Sequence, residues 1–359
     1  MKSRFSRFAV KLLSTAAFAV ALPTSMAMAQ GQRFDGVTLR VGTYGGPWGD
    51  AVKASVGKKL EAMGAKVEYV IGNPAENFSK VVSARGRAMP IDVMEIGPAE
   101  RIAMTRNDFL EDLPVEKIPN LAKLSVKVAD KKAIAHQMVE NGILLRTDKF
   151  EADKLPIPKK FEDLQDPKFA SRVAFPDVTT PQHWPAVAAM SSDAGGSEAT
   201  PEKGFEQALK MKPLYYYGAA TELAQKMTMG DVIVAPSHAG MAVRLHNAGQ
   251  PVEFVHPQIG TKRGEVEYNY LGIIKGTKNL DAAAAFVNAF LDTQAQAEFA
   301  KPMGVVPTNR EAREILMKDP VMSRFMLLSD KDIANAYTMD WSKVDVEKWR
   351  GAWARTVSK

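Results

Sequence analysis

The 359-residue chain contains no cysteine. That excludes disulfides, thiolate-bound zinc, iron–sulfur clusters, thiol catalysis and a lipid anchor on cysteine. Long apolar runs are also missing, so no segment after the first thirty residues reads as a membrane-spanning helix. Charge of one sign is lacking too. The formal net charge is +6, from 47 Lys and Arg against 41 Asp and Glu. Lys2, Arg4, Arg7 and Lys11 fall within the first 29 residues, where there is no acid; without them 43 basic residues face 41 acids, a net +2. Such a balance is no footprint for nucleic acid. His-Glu-x-x-His, Gly-x-Ser-x-Gly and Walker sequences are absent, which removes zincins, elbow-type hydrolases and P-loop sites. His136, His183, His238, His246 and His256 show no short ligand spacing, so neither a metal nor a cofactor is expected.

What is present starts with an address. Residues 1–11 are basic, residues 12–22 apolar, and Pro23 ends the stretch. Ala27 and Ala29 then supply small residues before Gln30. This pattern predicts a secretory signal peptide over residues 1–29. Its apolar stretch would span about 16 Å as a helix, short of the ~30 Å hydrocarbon core. The expected location is the periplasm, where a chain of this size builds its core without disulfides.

The rest alternates strands with helices. Residues 37–41 read as a strand entering the glycine-rich loop 42–49, and a helix follows over 51–63. Strands are expected at 66–71 and 91–96, with helices over 75–87 and from 99. Short joints between them imply a parallel α/β sheet, with ligands at the carboxyl ends of its strands. That singles out the loops 42–49, 72–77 and 96–99. The second half repeats the pattern, with strands at 172–175, 214–217, 232–235 (stopped by Pro236), 252–255 and 271–274. Its helices fall near 184–190, 220–229, 239–247 and 281–291. Residues 311–357 read as helical, with Val346, Trp349 and Trp353 packing on one face. Gly42, Gly45, Gly46 and Gly49 miss the dinucleotide spacing; they permit a tight turn and bring backbone N–H groups near a ligand. Glu95, Glu140 and Asp177 sit near strand ends, without a spacing that demands acid–base catalysis.

Several segments, taken in order, resemble the periplasmic spermidine/putrescine-binding proteins and their relatives among the solute-binding proteins of ABC importers. They are Leu39 to Gly46; Ile91-Asp92-Val93; Asp108 to Leu113; Gly142 to Asp148; Phe161-Glu162-Asp163-Leu164 with Pro167, Phe169, Arg172 and Val173; and Met303 to Asn309. The resemblance implies the two-lobed fold of type II periplasmic binding proteins, each lobe a central, mostly parallel sheet flanked by helices, with a ligand cleft between. Lobe one would hold residues 36–138 and 270–306, and lobe two 139–269 and 307–359. The implied function is capture of a small polar or charged organic solute, of the polyamine or organic-amine type. Hinge closure and delivery to a permease with its ATPase would follow. No catalytic residue, metal or cofactor is implied, and the protein is expected to be monomeric.

The ligand-binding residues expected on these grounds are Tyr44, Gly45, Gly46, Trp48, Asn73, Glu140, Asp177, Trp184, Ser237, His238, Tyr268, Asn269 and Tyr270. Tyr44, Trp48, Trp184, Tyr268 and Tyr270 are the expected aromatic walls. Asp177 keeps an acid of the family. Asn269 stands where polyamine binders carry an aspartate, and Glu267 where they carry a tryptophan. Ser237-His238 stand where ferric-iron binders of this kind place paired tyrosines, so iron is not expected. The lost aspartate predicts that the solute is not held as a polyamine is by its cognate receptors. A small carboxylate or thiamine-like solute, a ligand sensor, and an exported enzyme using Asp177, His183 or His238 are the alternative readings.

Overall fold

A computed structural model describes residues 33–124 and 130–357. The signal-peptide reading of residues 1–29 lies outside them. Gln32–Lys359 form one compact unit.

Twelve strands occur among the described residues: β1 (Thr38–Thr43), β2 (Lys66–Ile71), β3 (Val93–Ile96), β4 (Ala133–Arg146), β5 (Ala174–Pro176), β6 (Tyr215–Tyr217), β7 (Val234–His238), β8 (Val252–Val255), β9 (Gln258–Ile259), β10 (Lys262–Arg263), β11 (Glu265–Ile273) and β12 (Val306–Pro307). The main sheet runs β12-β4-β11-β3-β1-β2, and β7 and β8 join the far end of β4. Local chemistry explains the joints. Asn73 caps the helix Pro74–Ser83, accepting from the Glu76 N–H, while Glu76 reaches back to the Asn73 N–H, both at 2.9 Å. Gly42 is glycine because a Cβ there would stand 2.7 Å from Met94 on the neighbouring strand.

The α/β class holds, but the main sheet is mixed rather than mostly parallel. β1 pairs in parallel with β2 and β3, whereas β3–β11, β11–β4, β4–β12, β4–β7 and β4–β8 are antiparallel. The reason is the fourteen-residue β4, which extends through both halves of the molecule with β11 running back beside it. Sequence reading did not assign β4, because its buried polar residues break the apolar pattern. Three further expectations are corrected. The first helix begins at Gly46 rather than 51 and passes through a π-helical turn, Lys53–Gly57. β7 continues through Pro236, tolerated because β4 supplies its only full ladder. Residues 311–357 break into the helices Arg310–Leu316, Pro320–Phe325, Asp330–Asn335 and Val346–Val357, each of the first three opened by a capping Asn, Asp or Ser.

Strand direction decides where a site forms. β3 runs against β11 and ends with Ile96 opposite Tyr270. β7 runs against β4 and ends with His238 opposite Asn141. β5 is parallel to β6 and bridged in parallel to β7. The carboxyl ends of both strand groups therefore converge on the middle of β4 and β11.

The cores lie to either side. The odd-numbered residues of β4 share one face. At its start Ala133 joins a core with Ile96, Met104 and Leu110. At its end Ile143 and Leu145 join another with Trp184, Phe205, Trp349 and Trp353. The helix-packing reading of the last two tryptophans is thus correct. Between these cores the same face carries Gln137, Val139 and Asn141. The opposite face packs Ile134, Met138 and Leu144 into the largest core.

Candidate ligand-binding cleft

The floor of the cleft is this interrupted face. Cross-strand partners lie on the same side of a sheet. Asn141 is opposite Glu265, Val139 opposite Glu267, and Gln137 opposite Asn269; the register then shifts, placing Tyr270 opposite Ala135. The shift gathers two acids, an amide and a phenol on one face. The Asn141 amide donates to Glu265 at 2.6 Å. Asn141 Oδ1, Glu265 Oε1 and both amide atoms of Gln137 are buried without a hydrogen-bond partner. Leaving such groups unpaired costs ~1–3 kcal/mol each, so their retention points to a partner that arrives from outside.

Walls stand beside the Glu267–Tyr270 stretch of β11. On the first side stand Pro98, Arg101 and Ile102, from the helix Pro98–Arg106 that follows β3. On the other stand Thr338 to Ser342 from the chain's last stretch, pinned to β11 by the Val266 N–H on the Tyr337 carbonyl at 2.9 Å. With Glu267, Tyr268 and Tyr270 they enclose a cavity of about 210 Å³. It adjoins an outer cavity of about 680 Å³ through shared Ile102, Trp341 and Ser342. Phe78, Glu100, Arg106, Lys343 and Arg350 are among the residues lining the outer one.

Acids set the electrostatics. Burial, reinforced by Glu100, pushes Glu267 up to about 8. Burial pushes Glu95 up to about 7 against the hydrogen bonds from Thr43 and Trp48. The Tyr44 phenol is held well above its ordinary range by burial and then by Glu95, Glu100 and Glu267. His136 stands with its Nε2 3.6 Å from Glu95, stacked on Phe290 at 4.4 Å; burial lowers it to about 3, so it is neutral there.

The expected site residues divide among several places. Tyr270 and Tyr268 line the inner cavity, and Asn269 lies between them in the chain, opposite Gln137. Tyr44 and Trp48 follow β1, half-buried and edge-on to each other at 5.4 Å. Gly45 and Gly46 are exposed in the same loop, and Gly46 adopts φ +61° as the helix begins. Asp177 is half-buried beyond β5, with Oδ1 turned back to the Thr179 N–H and hydroxyl. His238 accepts from Arg244 at 3.3 Å, and burial followed by that cation lowers it to about 3. Ser237 is buried within β7 opposite Gly142.

Three expected residues have structural work instead. Asn73 spends its side-chain oxygen on the helix cap. Trp184 is 6% exposed, packed edge-on to His183 and beside Trp349 in the aromatic core. Glu140 is 0% exposed on the opposite face of β4, where His256 Nε2 at 2.5 Å and the Leu327 N–H at 2.7 Å occupy its two oxygens.

The family model for the bacterial extracellular solute-binding proteins matches residues 53–324. The chain belongs to that family. No curated protein sequence matches it. Among solved structures, an ABC transporter protein of Clostridium perfringens is similar, with a TM-score of 0.72 at 22% identity, over 89% of this chain and 99% of that one. The PBP MotA of A. tumefaciens B6, in complex with glucopine, superposes with a TM-score of 0.72 at 18% identity, over 89% and 99% of the two chains. A candidate spermidine/putrescine ABC transporter protein of Listeria monocytogenes gives 0.69 at 19% identity, over 89% and 98%. At these identities the likeness is one of fold.

In this extracellular solute-binding protein, none of the helices among the described residues is long and apolar enough to cross a membrane. The candidate residues that sequence reading did not place in the site are Gln137, Asn141, Glu265, Glu100, Arg101 and Trp341. A signal existed for the first two. In Ala133–Arg146, alternate positions read Ala, Ala, Gln, Val, Asn, Ile, Leu, an apolar stripe broken only in its middle. Trp341 gave none, since it sits in a three-residue turn of 3₁₀ helix.

Proposed function

We propose that this solute-binding protein captures a small organic solute bearing an amine, in the cleft between two lobes, and delivers it to the permease and ATPase of an ABC importer. Residues 36–138 with 270–306, and 139–269 with 307–359, are the lobes of this reading. β4, β11 and the step near residue 306 are the crossings. The observation that carries it is the buried, unpartnered polar set of Gln137, Asn141 and Glu265 on the crossing strands, with Glu267 beside it. A cation is favoured because Glu100 and Glu267 meet there, and an ammonium supplies the charge that lets both ionise. Closure follows from differential affinity, since a solute touching both walls stabilises the closed form. The exported, periplasmic location rests on the pattern of residues 1–29, and a monomer suffices for the cycle.

Such work needs binding without turnover. The test is titration calorimetry of the purified chain against a panel of amines, amino acids and carboxylates, with mass spectrometry of the recovered solute. Saturable one-to-one binding and return of unchanged solute are expected. A recovered product of altered mass would replace this reading with the enzymatic one.

A further inference from the structure

The inner cavity holds a cation as well as an acid. Arg101 lies with its guanidinium 4.7 Å from the centre of the Tyr270 ring. Its Nη1 is paired with Asp130. These contacts fix the plane of the guanidinium from the face and from one edge. Another of its donors, Nε–H, is buried and has no hydrogen-bond partner. Arg101 and Glu267 line the same cavity of about 210 Å³, roughly seven times the ~30 Å³ share of a water molecule. Thr338 and Ser342 line it too, and a hydroxyl can donate to an oxygen anion.

We infer that the inner cavity is a zwitterion pocket, in which Arg101 takes the carboxylate and Glu267 the ammonium of an amino-acid-type solute. The inference rests on the solute-binding reading above and narrows its ligand class. A solute with amine alone would leave the buried Arg101 Nε–H unpaired beneath it. A solute with carboxylate alone would set an anion beside Glu267 and Glu100. Only a ligand carrying both groups satisfies both ends of so small a space. The rest of such a solute would extend past Trp341 into the outer cavity, whose lining mixes Phe78 and Trp341 with Arg106, Lys343 and Arg350.

The test uses matched probes on the mature chain. The twenty L-amino acids and γ-aminobutyrate are each compared with the amine lacking the carboxylate and the acid lacking the amine; putrescine and spermidine join the amine set. At least one amino acid is expected to bind ten-fold or more tightly than both of its partial analogues. Arg101→Gln should cost that amino acid ten-fold or more while leaving its amine analogue unchanged. Glu267→Gln should spare the acid analogue instead. Circular dichroism and melting curves establish that each variant is folded. If amines alone, including the polyamines, bind as tightly as any amino acid, or if Arg101→Gln leaves amino-acid affinity intact, the zwitterion pocket is wrong and the solute-binding reading stands. Binding of a carbohydrate or other uncharged solute, with no response to any amino acid, also overturns it.

Discussion

Trp48 donates its indole N–H to both carboxylate oxygens of Glu95, at 3.1 and 3.0 Å. The Thr43 hydroxyl donates to the same carboxylate at 2.5 Å. One buried acid on β3 thus anchors the loop after β1, and Tyr44, edge-on to Trp48, is positioned through it. Phe299 holds Trp48 from below at 4.9 Å.

Stability should fall with pH in the ligand-free protein between about 6.5 and 8. Glu95 and Glu267 have folded values raised to about 7 and about 8, above the ordinary 4.5. The folded state therefore keeps protons that the unfolded chain has already released, and stability declines until both acids ionise. Below about 6.5 the neutral His136, His183 and His238, all lowered by burial, act in the opposite direction. Melting temperatures measured across the upper window should drop, and Glu95→Gln or Glu267→Gln should flatten the drop. A rise across that window, unchanged in both variants, would contradict the assignment.

Cation binding should expel a proton. At pH 7 Glu267, at about 8, is mostly protonated in the empty cleft. An ammonium beside it favours the carboxylate, so up to about one proton leaves per solute bound. Calorimetry in phosphate and in Tris should give apparent enthalpies that differ accordingly. The difference should vanish near pH 9 and in Glu267→Gln. Identical enthalpies in both buffers at pH 7 would place the ammonium elsewhere.

Gln137→Leu should separate binding from stability. Both amide atoms of Gln137 are buried and unpartnered, so their loss costs the empty protein nothing and recovers about 1 kcal/mol or more. The melting temperature is expected to hold or rise while solute affinity falls ten-fold or more. A destabilised variant with native affinity would assign Gln137 to the scaffold.

Glu140→Ala should do the reverse. It strips partners from His256 and from the Leu327 N–H in a buried site. A loss of ~2–4 kcal/mol is expected, read as a lower denaturant midpoint. The folded fraction should keep its affinity, since Glu140 faces away from the cleft. Weakened binding at unchanged stability would restore Glu140 to the ligand set.

Much of the frame was legible because local rules wrote it. The alternation of residues 66–71, the cap at Asn73 and the glycines closing helices all act over a few residues. Tyr44, Asn269 and Tyr270 are expected in the site because strand ends and a family resemblance both point to them. The remainder depends on contacts distant in sequence. Glu140 and Asn141 are neighbours in the chain, yet β4 sends one to a back-side histidine and the other to the floor. Trp184 looked like a cleft wall until Trp349, 165 residues on, supplied its packing partner. Trp341 reaches the cleft only because Tyr337 docks on β11.

The register shift between Asn269 and Tyr270 decides what the floor displays. A strand without it would alternate strictly, and a one-residue slip would carry the whole display to the other side. An irregularity confined to one step instead sets Asn269 and Tyr270, neighbours in the chain, on one side of the sheet. Moving that step by one residue is expected to change which side chains the floor shows while the pairing on either side of it stays in place.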